Sequence, residues 1–398
     1  MLFSRTGAVC AAAIFGLALA QTGPVSEAEV ERVHRSMLLI DTHNDVTSLT
    51  VDGFDIGGHN AKGHTDIARL RAGGVGAVFF AAYVGAQYVK DNRSAHRTLE
   101  MIDTIRHDIV GGHPETFQLA VSAAQIEDAH RAGKIAALIG IEGGHAIEDS
   151  LRLLRDYYVL GVRYMTLTHV NTNNWADSSG DIDKPGVQHH NGLTPFGKQV
   201  VREMNRLGMM VDISHVADKT FWDVMETSAA PPIASHSSCR ALSDAPRNMT
   251  DDMIRALAKK GGVVQVNFDC GFLSQKSEDV EKSYMKTFMA ATSDAERKAL
   301  GAELQKAEPR ATLADVVAHI DHIVKVAGID YAGIGSDFDG VECTPVGLDD
   351  VSKFQNLTRA LLEKGYSQAD IAKIYGGNLL RVMRAVEAEA KREQAGGA

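Results

Sequence analysis

Histidine and carboxylate side chains follow several short apolar runs of this sequence, and their types and spacing suit metal binding. His43 and Asp45 stand two residues apart just after such a run. Side chains two residues apart on an extended chain project to the same face, so this pair could hold one cation. Glu142 ends another apolar run, where an unpaired charge would be costly to bury. An imidazole takes the same position after three later runs, at His169, His215 and His236.

Each of these residues has a simpler explanation when it is taken alone. A lone His-x-Asp pair is often a loop or capping pair, and a lone histidine at a strand end is often a hydrogen-bonded core residue. Four imidazoles and two carboxylates that converge at one place are harder to explain in that way. Their types suit borderline divalent metals, zinc first. Since they are too many for one tetrahedral ion with an open position, the set predicts two ions that share a bridging carboxylate and a bridging water.

Two further carboxylates, Asp337 and Asp339, follow the last apolar run and share one face. A carboxylate beside a metal-activated water could take its proton and hand it to a leaving group. We expect this role for Asp337 and a turn or capping role for Asp339. The sequence contains no His-Glu-x-x-His pair, no Gly-x-Ser-x-Gly turn and no phosphate-binding loop, which argues against serine hydrolase and nucleotide-dependent chemistry.

The apolar runs that precede these residues predict the elements that position them. Eight runs of four to eight residues cover 37–41, 75–82, 136–141, 162–167, 209–213, 232–235, 262–266 and 331–335. Such runs are typical of strands buried on both faces, and helix-like stretches separate most of them. We therefore predict an α/β fold, a (β/α)8 TIM barrel that gathers all eight strand ends at one mouth. A doubly wound open sheet is the alternative, and it would predict a single crevice instead.

Three segments depart from a simple alternation of strand and helix. Residues 117–121 form a minor apolar run that predicts a peripheral strand. Residues 171–194 form a long polar loop, and loops of that length are usually functional or mobile. Residues 274–310 are rich in Lys, Glu, Ala and Met, and they predict a helical insertion before the last helix and strand.

The amino-terminal segment predicts a secretory signal peptide. A basic residue, Arg5, precedes a small-apolar run over 8–20 that ends in Ala18-Leu19-Ala20. A membrane anchor is the alternative, but about 13 apolar residues are too few to span a bilayer as a helix. We predict a signal peptide over 1–20, a single barrel domain over 21–398, and a secreted or periplasmic protein.

The composition and charge of the chain limit the kinds of partner that we expect it to bind. The chain of 398 residues is 44% hydrophobic and 23% charged, as is ordinary for a folded protein, and its formal charge of −10 argues against nucleic acid as a partner. The charged tail, 385–398, carries no lipid-anchor signal, so we expect no stable membrane anchor after signal cleavage. Three cysteines follow the signal, so at least one thiol should stay unpaired.

The sequence resembles the membrane (renal-type) dipeptidases, a metallopeptidase branch of the amidohydrolase superfamily. The resemblance covers roughly 38–386. Its motifs are Asp41-Thr-His-Asn-Asp45, Ile141-Glu-Gly-Gly-His145, Gly161-Val-Arg-Tyr-Met-Thr-Leu-Thr-His169, Asp212-Ile-Ser-His215, Ser235-His-Ser237, Arg247-Asn248 and Gly335-Ser-Asp-Phe-Asp-Gly340. It implies two zinc ions per subunit. His43 and Asp45 would hold one ion, His215 and His236 the other, and Glu142 would bridge them.

The resemblance also implies roles for the remaining site residues. His169 would contact the scissile carbonyl and stabilise its oxyanion, Arg247 would bind the substrate's free carboxylate, and Asp337 would be the general acid/base. A guanidinium fork suits a carboxylate in two-point contact. The implied reaction is hydrolysis of dipeptides by a metal-bridging hydroxide, with tolerance of a D-residue at the C-terminal position. A homodimer is implied as well.

Two other functions stay open at this point. The first is another hydrolase of the same superfamily, such as a lactonase or a β-lactam-opening enzyme. Arg247 separates this alternative from a dipeptidase, because a dipeptidase needs an anchor for the substrate carboxylate. The second is a metal-binding protein on a catalytically retired barrel, which would have no need for Asp337.

Overall fold

The computed structural model describes residues 25–58, 60–290 and 293–396. The predicted signal peptide, 1–20, lies outside the described residues. Nine strands within these ranges pair in parallel. They are β1 (Leu39–Asn44), β2 (Val75–Tyr83), β3 (Phe117–Leu119), β4 (Ile135–Glu142), β5 (Val162–Thr166), β6 (Met210–Asp212), β7 (Ile233–Ala234), β8 (Val263–Val266) and β9 (Ala332–Ile334).

Eight of the strands form a nearly closed barrel. Their order is β1-β2-β4-β5-β6-β7-β8-β9, and β3 pairs with β4 outside this path. The first strand meets the segment after the last strand, where Asn44, the last residue of β1, forms a parallel bridge with Phe338. The predicted (β/α)8 barrel is therefore confirmed, and the open sheet is excluded.

Helices connect the strands and surround the barrel. The α-helices are α1 (Glu27–Arg35), α2 (Val46–Thr50), α3 (Ile67–Ala72), α4 (Ser94–Asp103), α5 (Ala123–Arg131), α6 (Leu151–Val159), α7 (Pro195–Leu207), α8 (Asp218–Thr227), α9 (Asp251–Lys259), α10 (Cys270–Leu273), α11 (Gln275–Ala290), α12 (Asp294–Ala307), α13 (Leu313–Ala327), α14 (Phe354–Glu363), α15 (Gln368–Ala372) and α16 (Asn378–Gly396). The residues around α7 explain its bounds. Thr194 caps the first turn, Pro195 opens it, and Gly208 ends the helix at φ 87°.

Two buried apolar clusters hold the strands in place. Successive residues of β2 and β4 belong alternately to the two clusters, because side chains of a strand point to opposite faces. Phe79 and Leu138 share one cluster with Tyr164, together with Leu379 and Met383 of α16. The strands are thus buried on both faces, which explains why they read as continuous apolar runs.

The three segments predicted to depart from the alternation of strand and helix have the predicted types of secondary structure. The peripheral strand over 117–121 is confirmed as β3. Helices α11 and α12 lie within the predicted insertion, 274–310, before α13 and β9, whereas α10 directly precedes it and ends at Leu273. The long polar loop over 171–194 contains no helix or strand, and isolated bridges pair Ala176 with Leu193 and Ser178 with Val216.

The prediction for the first strand, 37–41, was wrong at both ends, because β1 runs from Leu39 to Asn44. The polar residue Asp41 continues the strand since its carboxylate is satisfied inside the barrel. It accepts hydrogen bonds from the backbone N–H and the hydroxyl of Ser336, at 2.8 and 2.6 Å. A buried charge with such partners does not end a strand.

The cysteine pairing in the structure agrees with the prediction that at least one thiol stays unpaired. Cys270 and Cys343 form a disulfide that spans 73 residues and joins the segments after β8 and β9. Cys239 is buried and free. Among the described ranges, no helix is long and apolar enough to cross a membrane.

Candidate metal centre

The carboxylate of Glu142 is the meeting point of the predicted site. Glu142 is the last residue of β4, and four imidazoles from other strand ends surround its Oε1 atom. The Nε2 atoms lie at 2.9 Å for His215, 3.3 Å for His236, 3.5 Å for His43 and 3.8 Å for His169. The barrel therefore brings together residues that are far apart in the sequence.

A second carboxylate completes the cluster on the β1 side. Asp45 Oδ2 lies 3.1 Å from His43 Nε2, and Asp337 Oδ1 lies 3.9 Å from the same nitrogen. His43 Nε2 and Asp45 Oδ2 are both buried without a hydrogen-bond partner. Buried polar atoms are normally paired, so two orphaned acceptor atoms that face each other favour a cation between them.

The hydrogen bonds around His43 leave its Nε2 lone pair free for a cation. Its Nδ1 atom lies 2.7 Å from the hydroxyl of Tyr164, and that hydroxyl donates to the backbone carbonyl of Thr42 at 3.1 Å. Because the hydroxyl proton is used in this way, Nδ1 donates to the hydroxyl, and in the neutral imidazole that a metal requires the lone pair lies on Nε2. The tyrosine ring fits because Gly140 lies beside it, where a Cβ atom would stand 2.0 Å from the ring.

His236 is oriented by a similar chain on the opposite side. Its Nδ1 atom lies 2.7 Å from the hydroxyl of Ser235, and that hydroxyl donates to Asp212 Oδ2 at 2.6 Å. The serine oxygen therefore accepts from Nδ1–H, and the Nε2 lone pair faces the cluster. His236 Nε2 also lies 2.9 Å from His215 Nε2, so two imidazole nitrogens converge on one point.

Burial sets the protonation of His215 and His236 in a direction that suits metal binding. His43 differs, because burial lowers its pKa but Tyr164, Glu142 and Asp45 raise it well above the usual value. Burial lowers the pKa of His215 and of His236 well below the usual value, so both imidazoles are neutral. Burial alone would raise the pKa of Glu142, but the surrounding imidazoles lower it well below its usual range. Neutral imidazoles and an ionised carboxylate are the forms that bind metals.

The residues present fit divalent cations. Three overlapping groups have ligand atoms within 4.8 Å of one another: His43 with Glu142 and His236, Glu142 with His169 and His215, and His43 with Asp45 and Asp337. Imidazole nitrogens with carboxylate oxygens are a borderline donor set, as zinc and similar ions prefer. A fourth group, Cys270 with Glu308 and Cys343, is no thiolate site because its sulfurs form the disulfide.

His169 lies at the edge of the cluster, and its side chain is 14% exposed. Its ring contacts that of Tyr83, with centroids 4.8 Å apart and the planes steeply inclined. Burial lowers the pKa of His169, so its imidazole is neutral. A neutral imidazole at this place can donate a hydrogen bond to a ligand in the cavity.

Arg247 is a partly buried residue that three groups hold beside His236. Its Nη1 atom donates to the hydroxyl of Ser237 at 3.1 Å, and its Nη2 atom donates to the carbonyl of His236 at 3.0 Å. Its guanidinium carbon lies 5.2 Å from the ring centre of Phe272, at the distance of a cation–π contact. Its Nε–H is buried without a partner, so this donor is available to an anion.

The two aspartates after β9 have different surroundings. Burial raises the pKa of Asp337 well above its usual value, and the nearby Asp45 and Glu142 add to this effect. Asp339 instead accepts a hydrogen bond from the backbone N–H of His64 at 2.6 Å, and its own N–H donates to His64 Nδ1 at 3.0 Å. These contacts tie Asp339 to the loop at His64, and the turn or capping role expected from the sequence stays a prediction.

A cavity of about 470 Å³ opens above the cluster. Carboxylates, apolar side chains and imidazoles line it: Asp45, Ser48, Tyr83, Glu142, His169, Val170, His215, Asp269, Phe272, Asp337, Asp339, Gly340, Val341 and Glu342. Its size suits a small molecule with a few polar groups rather than a protein segment.

The sequence did not identify several residues that support the site. Tyr164 and Ser235 fix the imidazoles, Phe272 packs on Arg247, and Asn267 donates to Asp337 at 2.8 Å. A tyrosine hydroxyl inside an apolar strand was a usable signal, because a buried hydroxyl needs a partner. The other three have common side chains in ordinary positions: Ser235 and Asn267 directly follow strands, and Phe272 lies in α10.

Fold and site together define a (β/α)8 barrel protein with a candidate metal centre at the carboxyl ends of its strands. The sequence profile of the membrane dipeptidases, peptidase family M19, matches residues 27–397. The chain therefore belongs to the membrane dipeptidase family.

Individual relatives agree with this assignment. Dipeptidase 3 from Rattus norvegicus and from Mus musculus are each 37% identical over 359 residues, or 89% of this chain. The chain spans 66% and 65% of the length of these relatives.

Solved structures with the same fold also come from this group. The probable dipeptidase PvdM from Pseudomonas aeruginosa matches 91% of this chain and 98% of its own, with a TM-score of 0.81 and 27% identity. A metallopeptidase from Rhodobacter sphaeroides, liganded with a phosphinate mimic of the dipeptide L-Ala-D-Ala, matches 88% and 99%, with a TM-score of 0.73 and 25% identity.

Proposed function

We propose that this protein is a metal-dependent dipeptidase with two divalent ions, zinc first by ligand type. In this proposal His43 and Asp45 hold one ion, His215 and His236 hold the other, and Glu142 bridges them. The observation that carries it is the position of Glu142 Oε1, between 2.9 and 3.8 Å from four imidazole nitrogens. Such ions, when bound, would bring the pKa of water to about 7 and polarise a carbonyl.

Other residues in and beside the cavity would bind and orient the dipeptide. Arg247 has an unpaired Nε–H and would bind the terminal carboxylate. His169 would donate a hydrogen bond to the scissile carbonyl oxygen as negative charge develops on it. Asp337 would take the proton of the attacking water and give it to the departing amine.

The finer features of the proposal have separate support. The Rhodobacter sphaeroides relative binds a mimic of a dipeptide with a D-residue at its C-terminal position, so we extend tolerance of such substrates to this chain. The disulfide between Cys270 and Cys343 suits an oxidising compartment, which agrees with a signal peptide over 1–20 and a secreted or periplasmic location. A homodimer remains part of the proposal on family grounds.

Metal analysis of the purified protein, combined with a panel of L-Xaa-L-Xaa and L-Xaa-D-Xaa dipeptides, tests this function. We expect two equivalents of zinc, hydrolysis of free dipeptides, loss of activity on chelation and recovery on addition of zinc. N-acylated and C-amidated dipeptides serve as matched controls and should be poor substrates. Hydrolysis that survives complete metal removal, or activity on lactones or β-lactams without activity on dipeptides, would overturn the proposal.

A further inference from the structure

Asn267 contacts the proposed acid/base residue and has no role in the function proposed so far. It follows β8 directly and is fully buried at the base of the loop that carries α10. Its Nδ2 atom donates a hydrogen bond to Asp337 Oδ2 at 2.8 Å, and its Oδ1 atom accepts one from the backbone N–H of Asp269 at 2.6 Å.

The second of these hydrogen bonds fixes the orientation of the amide. A backbone N–H is always a donor, so the atom that faces the N–H of Asp269 must be the amide oxygen. The NH2 group of Asn267 must therefore face Asp337. The carboxylate thus meets a donor, and this conclusion does not depend on how the two ends of an amide are assigned.

The contact assigns different roles to the two oxygens of Asp337. Oδ2 is occupied by Asn267, whereas Oδ1 faces the cluster, 3.9 Å from His43 Nε2. The neighbouring Gly340 leaves the space for this oxygen open. A Cβ atom at Gly340 would lie 2.4 Å from Asp337 Oδ1 and 2.5 Å from Asp45 Oδ2. Oδ1 is therefore the oxygen that can reach a ligand in the cavity.

The loop that carries Asn267 is itself attached to the segment that carries Asp337. The backbone N–H of Phe268 donates to the carbonyl of Ser336 at 3.2 Å. Farther along, the Cys270–Cys343 disulfide and a hydrogen bond from the N–H of Cys270 to the carbonyl of Cys343, at 3.3 Å, join the same two segments. These links hold the amide and the carboxylate in a fixed relation.

We propose that Asn267 is a positioning residue for the dipeptidase reaction, because it holds Asp337 with Oδ1 turned toward the substrate. This inference rests on the proposed function of Asp337. In the reaction the hydroxyl of water bonds to the carbonyl carbon and the C–N bond breaks. The remaining proton of the water passes through Asp337 Oδ1 to the amine nitrogen, so atoms and charge balance.

Kinetics of Asn267→Ala and Asn267→Leu test the proposal. Leucine has nearly the shape of asparagine but no polar hydrogen, so the second variant separates the hydrogen bond from packing. Since small displacements of a reacting group cost up to about 100-fold in rate, we expect kcat to fall about 10- to 100-fold in both variants. KM for dipeptides and the metal content should change less than about twofold.

A double-mutant comparison shows whether Asn267 acts through Asp337. Asn267→Ala should cause no further loss of kcat in the Asp337→Asn background, because the carboxylate that it positions is already gone. Equal losses in both backgrounds would overturn the proposal and assign Asn267 a structural role. Asn205→Ala is the matched control, since Asn205 is also a buried asparagine but bonds to the segment 228–230. It should change stability and leave kcat unchanged.

A crystal structure of Asn267→Ala gives a readout that does not depend on activity. We expect the carboxylate of Asp337 to turn or to occupy two orientations, whereas an unchanged single orientation would overturn the proposal. If the parent protein hydrolyses no dipeptide, the proposed function fails. The orientation of Asp337 in the variant then still decides whether Asn267 is a positioning residue.

Discussion

The Nδ1 atom of His43 and the hydroxyl of Tyr164 lie 2.7 Å apart, and this contact joins β1 to β5 across the inside of the barrel. The hydroxyl in turn donates to the carbonyl of Thr42. One tyrosine thus determines which nitrogen of His43 carries the proton, and it aims the other nitrogen at the candidate metal centre.

Replacement of Tyr164 by phenylalanine should weaken metal binding without unfolding the barrel. Loss of such a supporting hydrogen bond typically costs about 10- to 100-fold in metal affinity, and we expect Tyr164→Phe to fall in this range. Competition with a chelator of known affinity measures the change. Tyr157→Phe is the control, because Tyr157 is also buried but donates to the carbonyl of Ala146. Equal affinities in both variants would contradict the role of Tyr164.

Replacement of Asp337 by asparagine should separate metal binding from turnover. The amide cannot accept and return a proton, so we expect kcat to fall about 100- to 10,000-fold while the metal content stays near that of the parent. Asp339→Asn is the matched comparison, since Asp339 accepts a hydrogen bond from the backbone N–H of His64. Its main effect should be on stability. Full activity of Asp337→Asn would rule out the acid/base role.

Replacement of Arg247 by alanine should mainly affect substrate binding. The loss of a buried partner for the substrate carboxylate should raise KM for dipeptides about 100-fold. Arg240→Ala provides the control, because Arg240 is engaged with Asp218 in two hydrogen bonds of 2.8 Å, whereas Arg247 bonds to the carbonyl of the cluster residue His236. If KM for dipeptides does not respond to Arg247→Ala, the assignment of a carboxylate anchor is incorrect.

The buried imidazole of His319 should make the folded state sensitive to acid. Its Nδ1 accepts from the N–H of Cys239 at 3.0 Å, its Nε2 bonds to the carbonyl of Leu273, and burial lowers its pKa to about 4. The unfolded chain takes up this proton near a pKa of about 6.5, so protonation favours unfolding. The contribution of His319 is complete above that pH and is lost as the pH falls from about 6.5 to 4.

Urea unfolding of the parent and of His319→Gln at several pH values measures this effect. A shift of this size corresponds to about 3 kcal/mol across the interval. Glutamine can keep one acceptor and one donor but does not titrate, so the variant should lose less stability between pH 6.5 and 4. Buried acids such as Asp41, whose pKa is raised to about 6, act in the opposite sense in both proteins and cancel in the comparison. His107→Gln, at an exposed position, should follow the parent.

The disulfide should contribute measurably to stability, because it closes a loop of 73 residues in the unfolded chain. The double variant Cys270→Ser, Cys343→Ser should lose about 2–4 kcal/mol of unfolding free energy. The parent in a reducing agent should show the same loss, and the double variant should not respond to the reducing agent. A Cys239→Ser variant should keep the response of the parent, because its thiol is free.

The sequence predicts the barrel and the candidate metal centre for physical reasons that particular residues illustrate. Strands buried on both faces need continuous apolar runs, so His43 and Glu142 stand out as polar residues at their ends. Chain position alone could not predict which loop residues support them. In the sequence Asn267 resembles an ordinary turn residue. Its proposed role depends on a hydrogen bond to Asp337, which lies 70 residues later in the chain.

The sequence alone also could not predict which two cysteines form the disulfide. Three cysteines after the signal allow three different disulfides, and the barrel selects one by placing the segments after β8 and β9 side by side. The first strand was mispredicted because Asp41 has a charge that normally ends an apolar run, yet Ser336 satisfies it from the far end of the chain.

Contact between β1 and β9 has a consequence for how the protein matures. Asp337 donates its N–H to the carbonyl of His43 at 3.0 Å, so residues almost three hundred positions apart complete one centre. A nascent chain on the ribosome exposes His43 early, but it cannot finish the centre until the last strand has emerged. Truncated or prematurely released chains should therefore be inert, and the full barrel should acquire its activity only at the end of synthesis.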